Sequence, residues 1–308
     1  AILFRRFVNA LGRGSMRCAV TASGFFVEQL YVDSRLDVVF WRPFCTALVV
    51  HPKYPRGDAH YLHPSTHLRT AIALVVAGLP FALSIKQRQG GGSDDSTGFA
   101  VWRASTVLAS YLVQDLGRRP VAKHATAVEL GCGAGAVGAF AAAWLGYDAV
   151  ATDVDEMTRE ACESAASYRA SAAAARAPMQ GTLRVEPLFW GRANAKHFVD
   201  TALKGRRCDL ILGSEIIYAL KETSRRDAES TFDYLIETID ELLALDAAAA
   251  AIMCYCPRAD IEASFFAKLS DRRFVASPPV ELRSLGLAHH QVEGIKIIVV
   301  SRAPAAAE

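Results

Sequence analysis

Val128-Glu129-Leu130-Gly131-Cys132-Gly133-Ala134-Gly135 is the stretch on which the reading of this chain turns. An apolar run ends in three glycines at alternate positions, and a helical pattern opens directly behind them. The order is strand, tight turn, helix. Glycine lets a ligand approach the backbone, and a helix N-terminus offers N–H groups that lack partners within the helix. Gly133-Ala134-Gly135-Ala136-Val137-Gly138 also fits G-x-G-x-x-G, a pattern that binds dinucleotides. A nucleoside ligand of either kind needs an acid for its ribose at the end of the next strand. Asp153 stands there, 18 residues after Gly135, with Asp155 close behind.

Outward from this stretch, strand and helix patterns alternate. Strands are expected at 125–130, 148–152, 182–187, 209–213, 249–255, 274–282 and 294–301, and helices at 101–116, 135–145, 155–175, 225–246 and 259–270. Alternation implies an α/β fold with a mostly parallel sheet, right-handed crossovers and helices on both faces. Several strands are continuous apolar runs, as strands covered on both sides must be. No helical pattern separates the last two strands, so they are expected to form an antiparallel hairpin at one sheet edge. The acidic helix at 225–246 reads as a solvated face.

Residues 1–78 lack clean periodicity and are expected to form an N-terminal extension, with the main domain at 79–308. Proline-marked turns surround His51, His60, His63 and His67, which favours a solvated loop over a metal site. Gln87–Gly98 reads as a mobile linker. The first 27 residues carry Arg5, Arg6, Arg13 and Arg17 and no acid, a composition like an organelle transit peptide or a basic tail. The cytoplasm is otherwise the expected location.

Composition narrows the functions. The chain has 308 residues, 34 Lys+Arg against 32 Asp+Glu and a net charge of +2. That is too balanced for a protein that coats nucleic acid or a charged membrane surface. Seven irregularly spaced Cys make a poor disulfide framework and suit a reducing compartment. Cys254 and Cys256 lack the companions of a zinc site. The apolar run 71–85 holds 15 residues with Gly78 and Pro80, short of the roughly 20 that span a bilayer.

Two features separate the nucleotide readings. Glu129 lies just before the glycines, where a pyrophosphate loop is poorly served by a carboxylate. A cationic sulfonium such as S-adenosylmethionine is well served by one. A closing antiparallel hairpin also suits S-adenosylmethionine enzymes better than dehydrogenases. An oxidoreductase would want Tyr-x-x-x-Lys, and after Tyr218 that spacing gives Glu222, with Lys221 one residue short.

From Leu79 to Arg302 the chain resembles the seven-strand S-adenosylmethionine-dependent methyltransferases. More narrowly, it resembles the methyltransferase-like protein-lysine methyltransferases. Four blocks carry the resemblance: Gly98-Phe99-Ala100-Val101-Trp102 with the helix after it, Glu129 to Gly138 with Asp153, Phe189-Trp190-Gly191, and Asp209 to Tyr218. Pro80–Lys86 would be the strand before the first block. Glu215 stands where the family's Asp-x-x-Tyr has Asp, one methylene longer.

The resemblance implies a Rossmann-like seven-stranded sheet whose last strand is antiparallel, and S-adenosylmethionine as cofactor. It implies that Trp102 and Trp190 line the pocket, that Gly131, Cys132 and Gly133 pass closest to the methionine part, and that Glu129 receives its amino group. Asp153 would accept the ribose hydroxyls. Ser214 would stand with the cofactor, and Glu215 and Tyr218 at the acceptor, Glu215 attracting and orienting a cationic nitrogen and Tyr218 adding a hydrogen bond or a wall. The expected acceptor is a lysine of a protein substrate, methylated by a monomer. A histidine or small-molecule acceptor, or a non-catalytic scaffold, fits the same motifs less specifically. Ile216-Ile217-Tyr218 replaces the Pro-Pro-aromatic motif of amino-methylating nucleic-acid enzymes, so a nucleic-acid substrate is not expected.

Overall fold

The computed structural model describes residues 37–39, 48–50, 69–88, 98–118, 120–217, 225–257, 261–282, 287 and 292–304. The basic first residues, the histidines of 51–67, most of the linker and Tyr218 lie outside them.

The core is a seven-stranded sheet. Its strands are β5 (Thr126–Leu130), β6 (Asp148–Asp153), β7 (Thr182–Pro187), β8 (Leu210–Ser214), β9 (Ala250–Tyr255), β10 (Phe274–Ala276) and β11 (Lys296–Arg302). Their spatial order is β10-β11-β9-β8-β5-β6-β7. The pairs among β5 to β9 are parallel, and β11 runs antiparallel to both β9 and β10. The expected hairpin is therefore present, with its second strand inserted between β9 and β10. The order reverses between β5 and β8, and there the strand ends open a crevice.

Helices cover both faces. α1 (Arg103–Gln114), α2 (Val137–Leu145) and α3 (Asp155–Ala174) pack on one side; α4 (Arg192–Thr201), α5 (Arg225–Leu242) and α6 (Ile261–Asp271) pack on the other. Successive strand residues point to opposite faces. Leu210 and Leu212 join the α1–α3 core while Ile211 joins the α4–α6 core, and Ala127 and Val128 divide in the same way. Every residue of β5 and β8 is buried. These strands could be read from sequence because both faces demand apolar side chains.

The expectations for α4, β10 and the acidic helix differ from what is found. α4 buries only Ala195, Phe198 and Val199, a stripe too sparse to announce itself in sequence. β10 stops at Ala276, just before Pro278-Pro279, because proline has no N–H to give a ladder. The acidic face of α5 is cross-linked rather than merely solvated. Asp233 binds Lys268, Glu237 binds Arg272, Glu241 binds Arg192 and Arg207, and Asp240 binds Arg192 and Arg302.

Four further strands precede the sheet. β1 (Asp37–Val39) pairs antiparallel with β2 (Leu48–Val50). β3 (Arg69–Leu74) pairs antiparallel with β4 (Leu83–Arg88), from Arg69↔Arg88 to Leu74↔Leu83. The boundary expected after residue 78 falls inside this second hairpin, which belongs to the core. Leu74, Val76, Leu83 and Ile85 are all buried in the α1–α3 layer. Phe81, on the approach to β4, meets Trp144 edge-on at 5.4 Å and Phe140 at 6.3 Å. Among the described residues no helix is long and apolar enough to cross a membrane.

Candidate functional site

At the switch between β5 and β8 the strand ends open into a cavity of about 520 Å³. Gly131, Cys132 and Gly133 form its floor, and Asp153 closes the end of β6. Trp102 and Ser105 enter from α1 and the turn before it. Leu188, Phe189 and Trp190 enter from the turn after β7. Ser214 and Glu215 stand at the end of β8, and Thr231 and Tyr234 face in from α5.

The floor requires its glycines. Gly131 and Gly133 have φ of +60° and +54°, conformations that side chains disfavour. A Cβ on Gly133 would come within 2.8 Å of the Gly98 carbonyl oxygen, and one on Gly131 within 2.7 Å of Ile216. The Gly98 carbonyl accepts the Ala134 N–H at 2.8 Å, which ties the segment before Trp102 to the loop. From α3, the Ser164 hydroxyl donates to the Ala134 carbonyl at 2.7 Å and the Tyr168 hydroxyl to that of Gly135. The loop is held from two sides before any ligand arrives.

Asp153 accepts the Gly133 N–H at 2.7 Å and the Val154 N–H at 2.8 Å. A carboxylate has about four lone-pair sites, so two remain for a pair of ribose hydroxyls. Burial raises its pKa, opposed by those two N–H groups. The Cys132 thiol is pushed well above its usual range by burial and by the charges of Asp153 and Glu129, so it stays neutral.

Glu129 is placed differently from the expectation. Its side chain does not reach the cavity wall. It is 1% exposed and turns toward α2, accepting the N–H groups of Gly138 at 3.2 Å and Ala139 at 2.8 Å. The α2 N-cap is Ala136, which offers no capping side chain. A carboxylate from the neighbouring strand caps the helix in its place. A Cβ on Gly138 would meet this carboxylate at 2.7 Å, which is what the third glycine of the G-x-G-x-x-G pattern serves here. Burial raises the pKa of Glu129 from 4.5 to about 7, against those two N–H bonds. Two of the N–H groups at the start of α2 are thus taken by an acid of the chain itself rather than left for an anionic ligand.

Glu215 is buried at the cavity wall in a left-handed conformation, φ +57°. Its N–H donates to the Cys254 carbonyl at 2.8 Å, and its carboxylate accepts the Cys256 N–H at 3.1 Å. The end of β9 and the residue after it therefore fix both ends of Glu215. Beside it, the Ser214 and Ser105 hydroxyls bond at 2.8 Å, joining the end of β8 to α1. Sequence reasoning missed Ser105, Phe189 and Tyr234. Ser105 is one turn past Trp102, Phe189 opens the Phe189-Trp190-Gly191 block without being singled out, and no motif marks Tyr234.

A parallel sheet with one reversed strand, a glycine floor at the switch point and an acid at the end of β6 define an S-adenosylmethionine-dependent methyltransferase. A family model described as lysine methyltransferase matches residues 81–272, and the chain belongs to that family. No curated protein matches it. Among solved structures, it is similar to an S-adenosylmethionine-dependent methyltransferase from Agrobacterium tumefaciens at 11% identity, over 87% of this chain and 77% of that one, with a TM-score of 0.47. A methyltransferase from Pyrococcus furiosus matches at 13% identity, over 65% and 84%, with a TM-score of 0.38. A geranyl diphosphate methyltransferase in complex with GPP and sinefungin matches at 14% identity, over 63% and 75%, with a TM-score of 0.32.

Proposed function

We propose that this methyltransferase acts on the side-chain nitrogen of a lysine in a protein substrate. The observation that carries the reading is the sign of the cavity. Among the described residues, the charged side chains that line it are Asp153, Glu156 and Glu215, all acidic. Such a wall attracts an ammonium group and repels an acceptor that brings phosphates.

When bound, S-adenosylmethionine supplies an electrophilic methyl group carried on a sulfonium. Asp153 would hold its ribose, Gly131 to Gly133 would let its methionine part lie against the backbone, and Trp102 and Trp190 would cover it. Glu215, held by β9 with its carboxylate at the wall, draws in the acceptor nitrogen and orients it. The free ammonium has a pKa of ~10.4, far above that of an ordinary carboxylate, so Glu215 works by position and charge rather than as the base. Desolvation in the aromatic part of the cavity lowers the ammonium pKa and releases the proton to solvent.

The test is transfer of isotopically labelled methyl from the cofactor to cell lysate by the full chain. Label is expected in material that protease destroys, and acid hydrolysis is expected to return it as methyl-lysine. Glu215→Gln keeps an oxygen for the Cys256 N–H but removes the charge. It should cut transfer by about tenfold or more while S-adenosylhomocysteine still binds. Label that ribonuclease removes and protease leaves would overturn the reading.

A further inference from the structure

Five large apolar side chains are conspicuously exposed among the described residues: Val154, Phe189, Tyr234, Leu245 and Val275. Three of them, Val154, Phe189 and Tyr234, line the one cavity described above. Chance scatter does not place exposed rings at a single opening, and a rim of this kind marks a binding surface. Val154 follows Asp153 directly and belongs to the ribose end. Phe189 and Tyr234 need another account.

Each is 55% exposed. They come from different elements, the turn after β7 and the helix α5, yet both line the one cavity, and Tyr234 packs beside the glycine two residues after Phe189. Gly191 has φ +123°, and a Cβ there would lie 3.5 Å from the Tyr234 ring. Tyr234 is three residues from Thr231, which also lines the cavity, and α5 follows the segment that begins at Glu215. The two rings therefore stand on the α4–α5 side of the mouth. The same cavity carries the acidic wall that favours a cation.

We propose that Phe189 and Tyr234 form the acceptor rim, and that it receives a polypeptide with a bulky apolar residue within two positions of the target lysine. This rests on the lysine reading above. The aliphatic stem of the lysine would run between the rings while its nitrogen reaches the carboxylates, as long cationic side chains do when they bury the stem and keep the head polar. An extended chain advances ~3.3–3.6 Å per residue, so a neighbour one or two positions away falls on the exposed part of the same rim. Burying it would add apolar contact at a point where the protein otherwise leaves two rings in water.

The experiment uses the full chain, labelled S-adenosylmethionine and an immobilised library of lysine-centred peptides. The variants are Phe189→Ser, Tyr234→Ser and the double substitution, each at a half-exposed site where folding is little affected. Wild type should label peptides with Leu, Ile or Phe beside the lysine best. The double variant should lose that preference and drop about tenfold in efficiency through KM, while its S-adenosylhomocysteine affinity by calorimetry moves less than about twofold. Wild-type labelling indifferent to the neighbours, or a preference that survives in the double variant, would overturn the proposal. So would a tenfold loss of S-adenosylhomocysteine affinity in the double variant, which would assign the rings to the cofactor. A wild type that binds S-adenosylhomocysteine and labels no lysine in the library or in lysate would sink the lysine reading itself, and the rim proposal with it.

Discussion

Glu129 is the residue whose chemistry departs most from its neighbours. Burial raises its pKa from 4.5 to about 7, so between those values the folded protein holds a proton that the unfolded chain has released. The stability this group confers is fully present below pH 4.5 and is lost as pH rises through 7. The size is about 3 kcal/mol at ~1.4 kcal/mol per pH unit of displacement. Glu129→Gln removes the titration and keeps the shape. The variant should gain on wild type by roughly that amount between pH 5 and pH 8 in urea unfolding, whereas a gap that does not change with pH would refute the assignment. The sequence did hold a clue to this placement. α2 has Ala136 rather than Ser, Thr, Asp or Asn at its cap, so the helix needs an outside acceptor. Glu129 was read toward the ligand because sequence spacing does not tell which way a strand residue faces. Asp153, Gly131 and Gly133 were legible because a turn and a strand end leave them one direction to go.

Among the elements, α5 organises the cavity wall more than its acidic sequence suggests. The Thr238 hydroxyl, fully buried, accepts the Gly191 N–H at 2.8 Å and donates to the Tyr234 carbonyl at 2.8 Å. One hydroxyl thus joins the turn that carries Trp190 to the helix that carries Tyr234. The Arg192 guanidinium adds bonds to Asp240 and Glu241 at 3.1 Å each. Burial alone would raise the pKa of Asp240, but the guanidinium groups of Arg302 and Arg192 outweigh it and hold the pKa below the usual carboxylate range. Thr238→Val keeps the volume and removes both bonds. Its S-adenosylhomocysteine affinity should fall about tenfold, with a changed tryptophan fluorescence response, and Thr238→Ser should restore both. Wild-type affinity in Thr238→Val would show that the turn needs no such link. Patterns of burial made β5, β8 and β9 readable, while α4 is held by its polar start as much as by its three buried side chains, and polar contacts between distant residues leave no period in a sequence.

Across the whole molecule, the β3–β4 hairpin is part of the methyltransferase core. Its apolar side chains reach the glycine loop by a packed path: Phe81 to Phe140, Phe140 to Tyr168 at 5.0 Å, and the Tyr168 hydroxyl to the Gly135 carbonyl. A chain starting at Leu79 loses β3 and uncovers Leu83 and Ile85, while a chain starting at His67 keeps the hairpin whole. The shorter chain should be less stable by about 3–5 kcal/mol in urea unfolding, from the apolar surface of Leu74 and Val76 and the area they cover. Equal midpoints would mean that the hairpin contributes nothing. The fold class was legible at this scale because strand and helix alternate so regularly. Of the hairpin, β4 was legible as the strand expected at Pro80–Lys86, whereas β3 was not, because the apolar run 71–85 carries Gly78 and Pro80 and no alternation marks its first half as a strand.

The insertion of β11 between β9 and β10 has a consequence for the order of assembly during synthesis. β9 and β10 emerge from the ribosome well before residues 296–302, and they are not neighbours in the finished sheet. Until β11 arrives, β9 presents an open edge of five buried residues, and β10 has no strand to pair with. The glycine floor of the cavity, Asp153 and Glu215 are all encoded by then. The nascent chain therefore carries the described lining of the cavity on a sheet that one late strand has yet to close, and for that interval its central edge is a site for wrong pairing.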